Sequence, residues 1–152
     1  NAVGYKPEII LAGRRLNDNM GSYVANEVSK LMIKKSIQII EANILIMGLT
    51  FKENCPDYRN TQVIDLVNEF KSFSCNVDIY DPWVNKKNVA DEYKIHPIDE
   101  PIKGKYDAIV IAVAHNEFKL LSEDLIRSYG KSNHILYDIK YLLKQNESDG
   151  RL

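Results

Sequence analysis

The chain has 152 residues, 45% of them apolar, with a formal net charge of −1, enough for one α/β domain with its own core. The near-neutral balance excludes the basic footprint of nucleic-acid or anionic-membrane binding, and no apolar run approaches the roughly 20 residues that span a bilayer. No secretory signal is visible, and Cys55 and Cys75 lack CxxC or metal-ligand spacing, so they read as reduced thiols of a cytoplasmic protein without a metal site.

The chain opens on Asn1 rather than on a domain-like start, and it reads as a piece of a longer protein. Pro7 suits a helix beginning, where its missing N–H has no partner to lose. From there Ile9, Leu16, Met20, Tyr23, Val24, Val28, Leu31 and Met32 recur at three- and four-residue spacing, which predicts a helix over residues 8–36 with one apolar face. Gly13 and Gly21 weaken it locally. Such a helix runs roughly 40 Å at 1.5 Å per residue, too long for one small domain to cover. Part of its stripe is therefore expected to meet another domain or a second copy, an association that charges at Val24 and Val28 should break. A helix broken near Gly21 and folded back on its own domain is the alternative.

The period then changes. Residues 43–49 (NILIMGL) form a continuous apolar strand fit for burial on both faces. Residues 61–72 read as a helix with Val63, Ile64, Leu66, Val67 and Phe70 inward, and residues 76–80 (NVDIY) as a strand stopped by Asp81-Pro82. Residues 94–96 suggest a short strand, residues 107–112 (DAIVIA) a buried one, and residues 122–129 a helix with Ser122 as its N-cap. Residues 135–138 (ILYD) make a last short strand, and the polar tail 144–152 is expected to be loosely held. The alternation predicts an α/β fold: a Rossmann-like, doubly wound, mainly parallel sheet preceded by a long helix.

In such sheets ligands lie beyond the carboxyl ends of the strands, here residues 50–52, 81, 114–116 and 138–140. The first strand leads into GLTFKENCPDYRNT, a glycine-bearing strand–turn–helix unit carrying Lys52 and Arg59. Free backbone N–H groups and cations converge in such a turn and suit phosphate; an ordinary turn with solvated charges is the alternative. GLTFKE has a single glycine, so the full GxGxxG fingerprint is absent, as are the P-loop, HExxH and GxSxG. Lys52, Arg59 and Lys140 stand as cations at strand ends, the arginine adding forked hydrogen bonding. Any one of them alone is more often a surface cation. His115 can act as acid or base or simply cap polar groups; His96 and His134 have no acidic or cysteine partner at useful spacing, and all three read as structural.

Several spaced motifs together resemble the UDP-glucose/GDP-mannose dehydrogenase family. GLTFKENCPDYRNT is similar to its GxxFKxxxxDxR segment, IYDP to its aspartate–proline strand end, YDIK to its late D-x-[KR] motif, and LAGRRLNDNMGSYV to the start of its long central helix. The forms AGRRLNDNM, AVAHNEF and YDIK resemble the branch acting on UDP-N-acetylhexosamines. The resemblance implies that residues 1–41 end a central domain in a linking and dimerisation helix, and that residues 42–152 form the C-terminal UDP-sugar-binding domain. It implies oxidation of UDP-GlcNAc or UDP-GalNAc at C6 to the uronic acid for bacterial surface polysaccharide, with NAD as cofactor. The implied partners are the UDP-sugar, an N-terminal NAD-binding domain of the same protein and a second copy in a homodimer, with no nucleic acid or membrane.

The family's catalytic cysteine lies in a GGHC-type motif, which neither Cys55 nor Cys75 fits. No catalytic residue is therefore expected in this chain, and by itself it should not turn over substrate. Residue by residue, the resemblance assigns Phe51 and Lys52 to the nucleotide-sugar, with Lys52 near its phosphates. Lys140 stands where relatives often have an arginine contacting substrate phosphate, and Arg59 matches an arginine that reaches NAD. Lys52, Arg59 and Lys140 are expected to face one crevice. A noncatalytic nucleotide-binding or dimerisation module of the same fold is the alternative.

Overall fold

Residues 19–152 are described by a computed structural model. Five strands, β1 (Asn43–Met47), β2 (Asn76–Tyr80), β3 (Tyr106–Ile111), β4 (Gly130–Asp138) and β5 (Gly150–Arg151), form one sheet in the order β2-β1-β3-β4-β5. Every pairing in it is parallel. The helices are α1 (Met20–Lys34), α2 (Val63–Ser72), α3 (Lys86–Tyr93), α4 (Asn116–Lys119) and α5 (Glu123–Ser128).

Alternate strand residues point to opposite faces, and the central strands are apolar on both. Ile44, Ile46, Ala108, Val110, Ile135 and Tyr137 meet Val24, Val28 and Met32 of α1 and Leu66, Val67 and Phe70 of α2 in one layer. Leu45, Met47, Ile109, Ile111 and Leu136 meet Phe118 and Ile126 of α4 and α5 in the other. The sheet is doubly wound, as expected.

The helix α1 runs from Met20 to Lys34, and residues 8–18 of the predicted helix lie outside the described residues. Its apolar stripe is not a free surface. Val24, Val28 and Met32 are fully buried in their own domain, and Tyr23 and Ile33 are the exposed large apolar side chains of α1. Charges at Val24 and Val28 would therefore act on folding, which corrects the expectation that they lie in a contact between copies. Gly21 lies in the first turn of α1, which begins at Met20: a Cβ there would sit 2.8 Å from the Leu66 nitrogen, so its missing side chain lets α1 and α2 touch.

Three local expectations fail for identifiable reasons. Residues 94–96 are not a strand, because Lys94 takes the left-handed conformation (φ 57°) that closes α3, a helix whose start Asn85 caps through the Asn88 N–H. The last long strand begins at Gly130 rather than at residue 135, since Gly130 already pairs with Tyr106 across a register irregularity. The tail is held. Asp149 exchanges backbone and carboxylate hydrogen bonds with Leu136 of β4, Lys35 and Arg127 grip the same carboxylate, and β5 extends the sheet. Burial opposes the charge on Asp149, but the Leu136 N–H and the two cations outweigh it and hold its carboxyl pKa below the usual aspartate range.

Candidate functional site

The strand order reverses direction between β1 and β3, and ligands of open α/β sheets lie at such a switch point. Gly48 takes β1 out of the sheet at φ 103°, pressed so closely on β3's exit that a Cβ would lie 2.5 Å from the Val113 Cβ. That turn delivers the Leu49 and Thr50 N–H groups to one oxygen of Asp81, at 2.6 and 3.1 Å. The Trp83 N–H donates to the other oxygen at 2.8 Å. Burial works against the Asp81 charge, yet the His115, Leu49 and Trp83 hydrogen bonds win and keep its carboxyl below the ordinary aspartate range.

His115, wholly buried beyond β3, completes the network. Its Nε2 lies 2.9 Å from the same Asp81 oxygen and 3.2 Å from the Thr50 hydroxyl oxygen. Its Nδ1 accepts the Asn54 backbone N–H at 3.0 Å. A backbone donor on Nδ1 and a carboxylate at Nε2 together select the neutral ring with its proton on Nε2. The Thr50 hydroxyl donates onward to the Lys52 carbonyl at 2.8 Å. Trp83 stacks over the imidazole at 6.1 Å between ring centres, and its indole N–H reaches Glu117. The Asp81–His115 pair thus ties the exits of β1, β2 and β3 to the loop of residues 51–61.

That loop borders a crevice of about 280 Å³ lined by Met20, Gly21, Val24, Thr50, Phe51, Asn60, Thr61, Gln62, Val63, Leu66, Ala112, Ile139 and Lys140. Phe51 is exposed on its rim. Lys140 comes to it from the end of β4, where its N–H binds one oxygen of buried Asp138 while the Leu143 N–H binds the other. Two of the sequence-predicted residues, Phe51 and Lys140, are thus brought together. Lys52 and Arg59 sit on the same loop but outside the lining, so the expected convergence of three cations on this crevice is not seen. Among the described residues no salt bridge engages Lys52 or Lys140, whereas Arg59 forks onto Asp57 at 3.0 and 2.9 Å. The Arg59 hydrogen bonds hold the Asp57 carboxyl down at about 2.

The remaining candidates do no visible chemistry. Cys75 is buried with its thiol on the Ile39 carbonyl, and burial pushes its pKa up. Cys55 is half-buried in the loop. Among the described residues no group of three metal-ligating side chains occurs, and no helix is long and apolar enough to cross a membrane. The Leu49 and Thr50 amides, where a glycine-rich turn would cradle a dinucleotide's pyrophosphate, are already taken by Asp81. Together with the missing GxGxxG, this means the sheet does not fit NAD at its own first turn. Sequence reasoning missed the Asp81–His115 contact. Both residues stood out at strand ends, but nothing in either local pattern pairs two positions 34 apart.

A family model for the UDP binding domain of the UDP-glucose/GDP-mannose dehydrogenase family matches residues 45–145. The UDP-N-acetyl-D-glucosamine 6-dehydrogenase of Salmonella typhi is 55% identical over 150 residues, covering 99% of this chain and 35% of that protein. The enzyme of the same name from Pseudomonas aeruginosa is 53% identical over 151 residues, covering 99% and 36%. Among solved structures, a UDP-D-ManNAc dehydrogenase from Pyrococcus horikoshii superposes with a TM-score of 0.79 at 26% identity, covering 98% of this chain and 34% of that one. The chain thus spans about a third of the length of the curated relatives it matches.

Proposed function

We propose, since the chain belongs to the UDP-glucose/GDP-mannose dehydrogenase family, that it is the UDP-sugar-binding part of an NAD-dependent dehydrogenase. That enzyme oxidises a UDP-N-acetylhexosamine at C6 to the uronic acid used in bacterial surface polysaccharide. The observation that carries this reading is the crevice at the switch point, with Phe51 and Lys140 of the matched region on its rim and no salt bridge on Lys140 among the described residues.

Phe51 offers an exposed aromatic ring to the nucleotide-sugar, and Lys140 and Lys52 offer charge to its phosphates. A lysine at position 140 supplies a point charge rather than a fork, so it neutralises phosphate without fixing its orientation. Arg59, already oriented by Asp57, is the residue this chain offers toward NAD. NAD supplies the oxidising power, and its own binding domain and the cysteine nucleophile belong to the N-terminal part of the same protein. A second copy completes a cytoplasmic homodimer.

A graft tests the reading. The chain replaces the matching third of the Salmonella typhi relative, and NADH formation from UDP-GlcNAc is followed. UDP-GlcNAc-dependent NADH formation by the graft, with none by the isolated chain, is expected. A folded but inactive graft, or turnover by the isolated chain, would contradict it and favour a noncatalytic module.

A further inference from the structure

The loop that carries Phe51, Lys52 and Arg59 has a specific anchor. Asn54, near its middle, takes a left-handed conformation (φ 55°) and makes two reciprocal bonds to the end of β3. Its backbone N–H donates to His115 Nδ1 at 3.0 Å, and its side-chain carbonyl accepts the Asn116 N–H at 2.9 Å. The buried Thr50 hydroxyl also donates to the Lys52 carbonyl at the loop's start, but Arg59 bonds within the loop to Asp57, and the Phe51 N–H bonds the Asp57 carbonyl.

The imidazole itself cannot turn. Its Nε2–H is fixed on Asp81, Trp83 covers one face, and Phe118 meets it at 5.3 Å. An immobile acceptor buried in a site of low dielectric defines the height and register of the amide that reaches it. We infer that His115 is a positioning residue for nucleotide-sugar binding: with Asn54 it forms a latch that holds residues 51–61 in the geometry that borders the crevice. Asp81 serves the latch by orienting the ring, as an outer partner orients a metal-ligating histidine. The inference rests on the proposed UDP-sugar site, since the latch matters to binding because Phe51 and Lys52 ride on the loop.

Isosteres separate the two ends of the ring. His115→Asn places an acceptor near the Nδ1 position and keeps the Asn54 bond. His115→Gln places its amide near Nε2 and keeps the Asp81 bond instead. His115→Phe keeps the packing on Trp83 and Phe118 and loses both bonds. UDP binding to the full chain is measured by titration calorimetry, and amide exchange at Asn54 by NMR, with thermal melts to verify folding.

His115→Phe and His115→Gln should raise the UDP Kd about tenfold, while His115→Asn stays within about threefold of wild type. Asn54 exchange should be slow in the wild type and in His115→Asn, and fast in the other two. Asn54→Gly, which accepts the positive φ and loses the Asn116 bond, should weaken UDP about threefold without unfolding the chain. Unchanged UDP affinity in His115→Phe or in Asn54→Gly, or rescue by Gln as complete as by Asn, would overturn the latch. If the wild-type chain does not bind UDP, the nucleotide reading fails by itself. The latch is then judged on Asn54 exchange, and equal exchange in all variants would overturn it.

Discussion

Lys140 and Asp57 illustrate two opposite uses of charge at the site. Lys140 has no carboxylate partner among the described residues and stands at the crevice rim, so its charge is available to a ligand. A charge-assisted hydrogen bond is worth about 1.5–3 kcal/mol, and Lys140→Ala should weaken UDP binding about tenfold or more, with Lys140→Arg restoring it. Lys52, on the loop beside that crevice but outside its lining, offers the same kind of charge-assisted bond, and Lys52→Ala should weaken nucleotide-sugar binding by about one to two orders of magnitude; calorimetry on each variant checks both. Asp57, by contrast, is saturated by Arg59, which lowers its pKa from 3.8 to about 2. A depressed carboxylate contributes above the ordinary aspartate range, and that contribution disappears as the pH falls through about 2. An NMR titration should place the Asp57 midpoint near 2 in the wild type and back toward 3.8 in Arg59→Ala. At this scale the strand-end rule and the family resemblance point to Phe51 and Lys140, and both border one crevice because a parallel sheet sends its strand ends to one side. The sequence conceals Asp81–His115 and Asn54–His115, because such contacts depend on how distant turns are set against each other.

Among the elements, α1 and β1 have exits and faces that local chemistry dictates. The apolar stripe of α1 is plain in the sequence, but its partner is not, since the same spacing serves a domain core and a dimer contact. The structure assigns it to the core. Val28→Asp should therefore cost about 3 kcal/mol or more by burying an unpaired charge, whereas Tyr23→Asp, on the exposed side of α1, should stay within about 0.5 kcal/mol. Urea denaturation distinguishes them. Gly48→Ala should cost about 3 kcal/mol, since it combines a strained positive φ with a clash on Val113. Elements with little apolar content escaped detection. α3 buries only Val89 and α4 is a single turn around Phe118. β5 is two residues held by the sheet and by the grip on Asp149, a tertiary effect that polarity alone conceals.

For the whole molecule, strand order determines where binding occurs. With β1 and β3 adjacent and their connections leaving in opposite directions, the crevice opens between them. Asp81 seals the turn amides that a dinucleotide would need. The fold is thus the Rossmann-like one foreseen from alternating periodicity, with its first turn closed to pyrophosphate and its charged rim displaced toward β4. The most direct measurement is a UDP titration of the isotope-labelled chain followed by amide chemical shifts. Shifts should concentrate at residues 50–52, 60–63 and 139–140. No saturable shifts at millimolar UDP, or shifts centred on residues 80–87 beyond β2, would contradict a UDP site in this crevice.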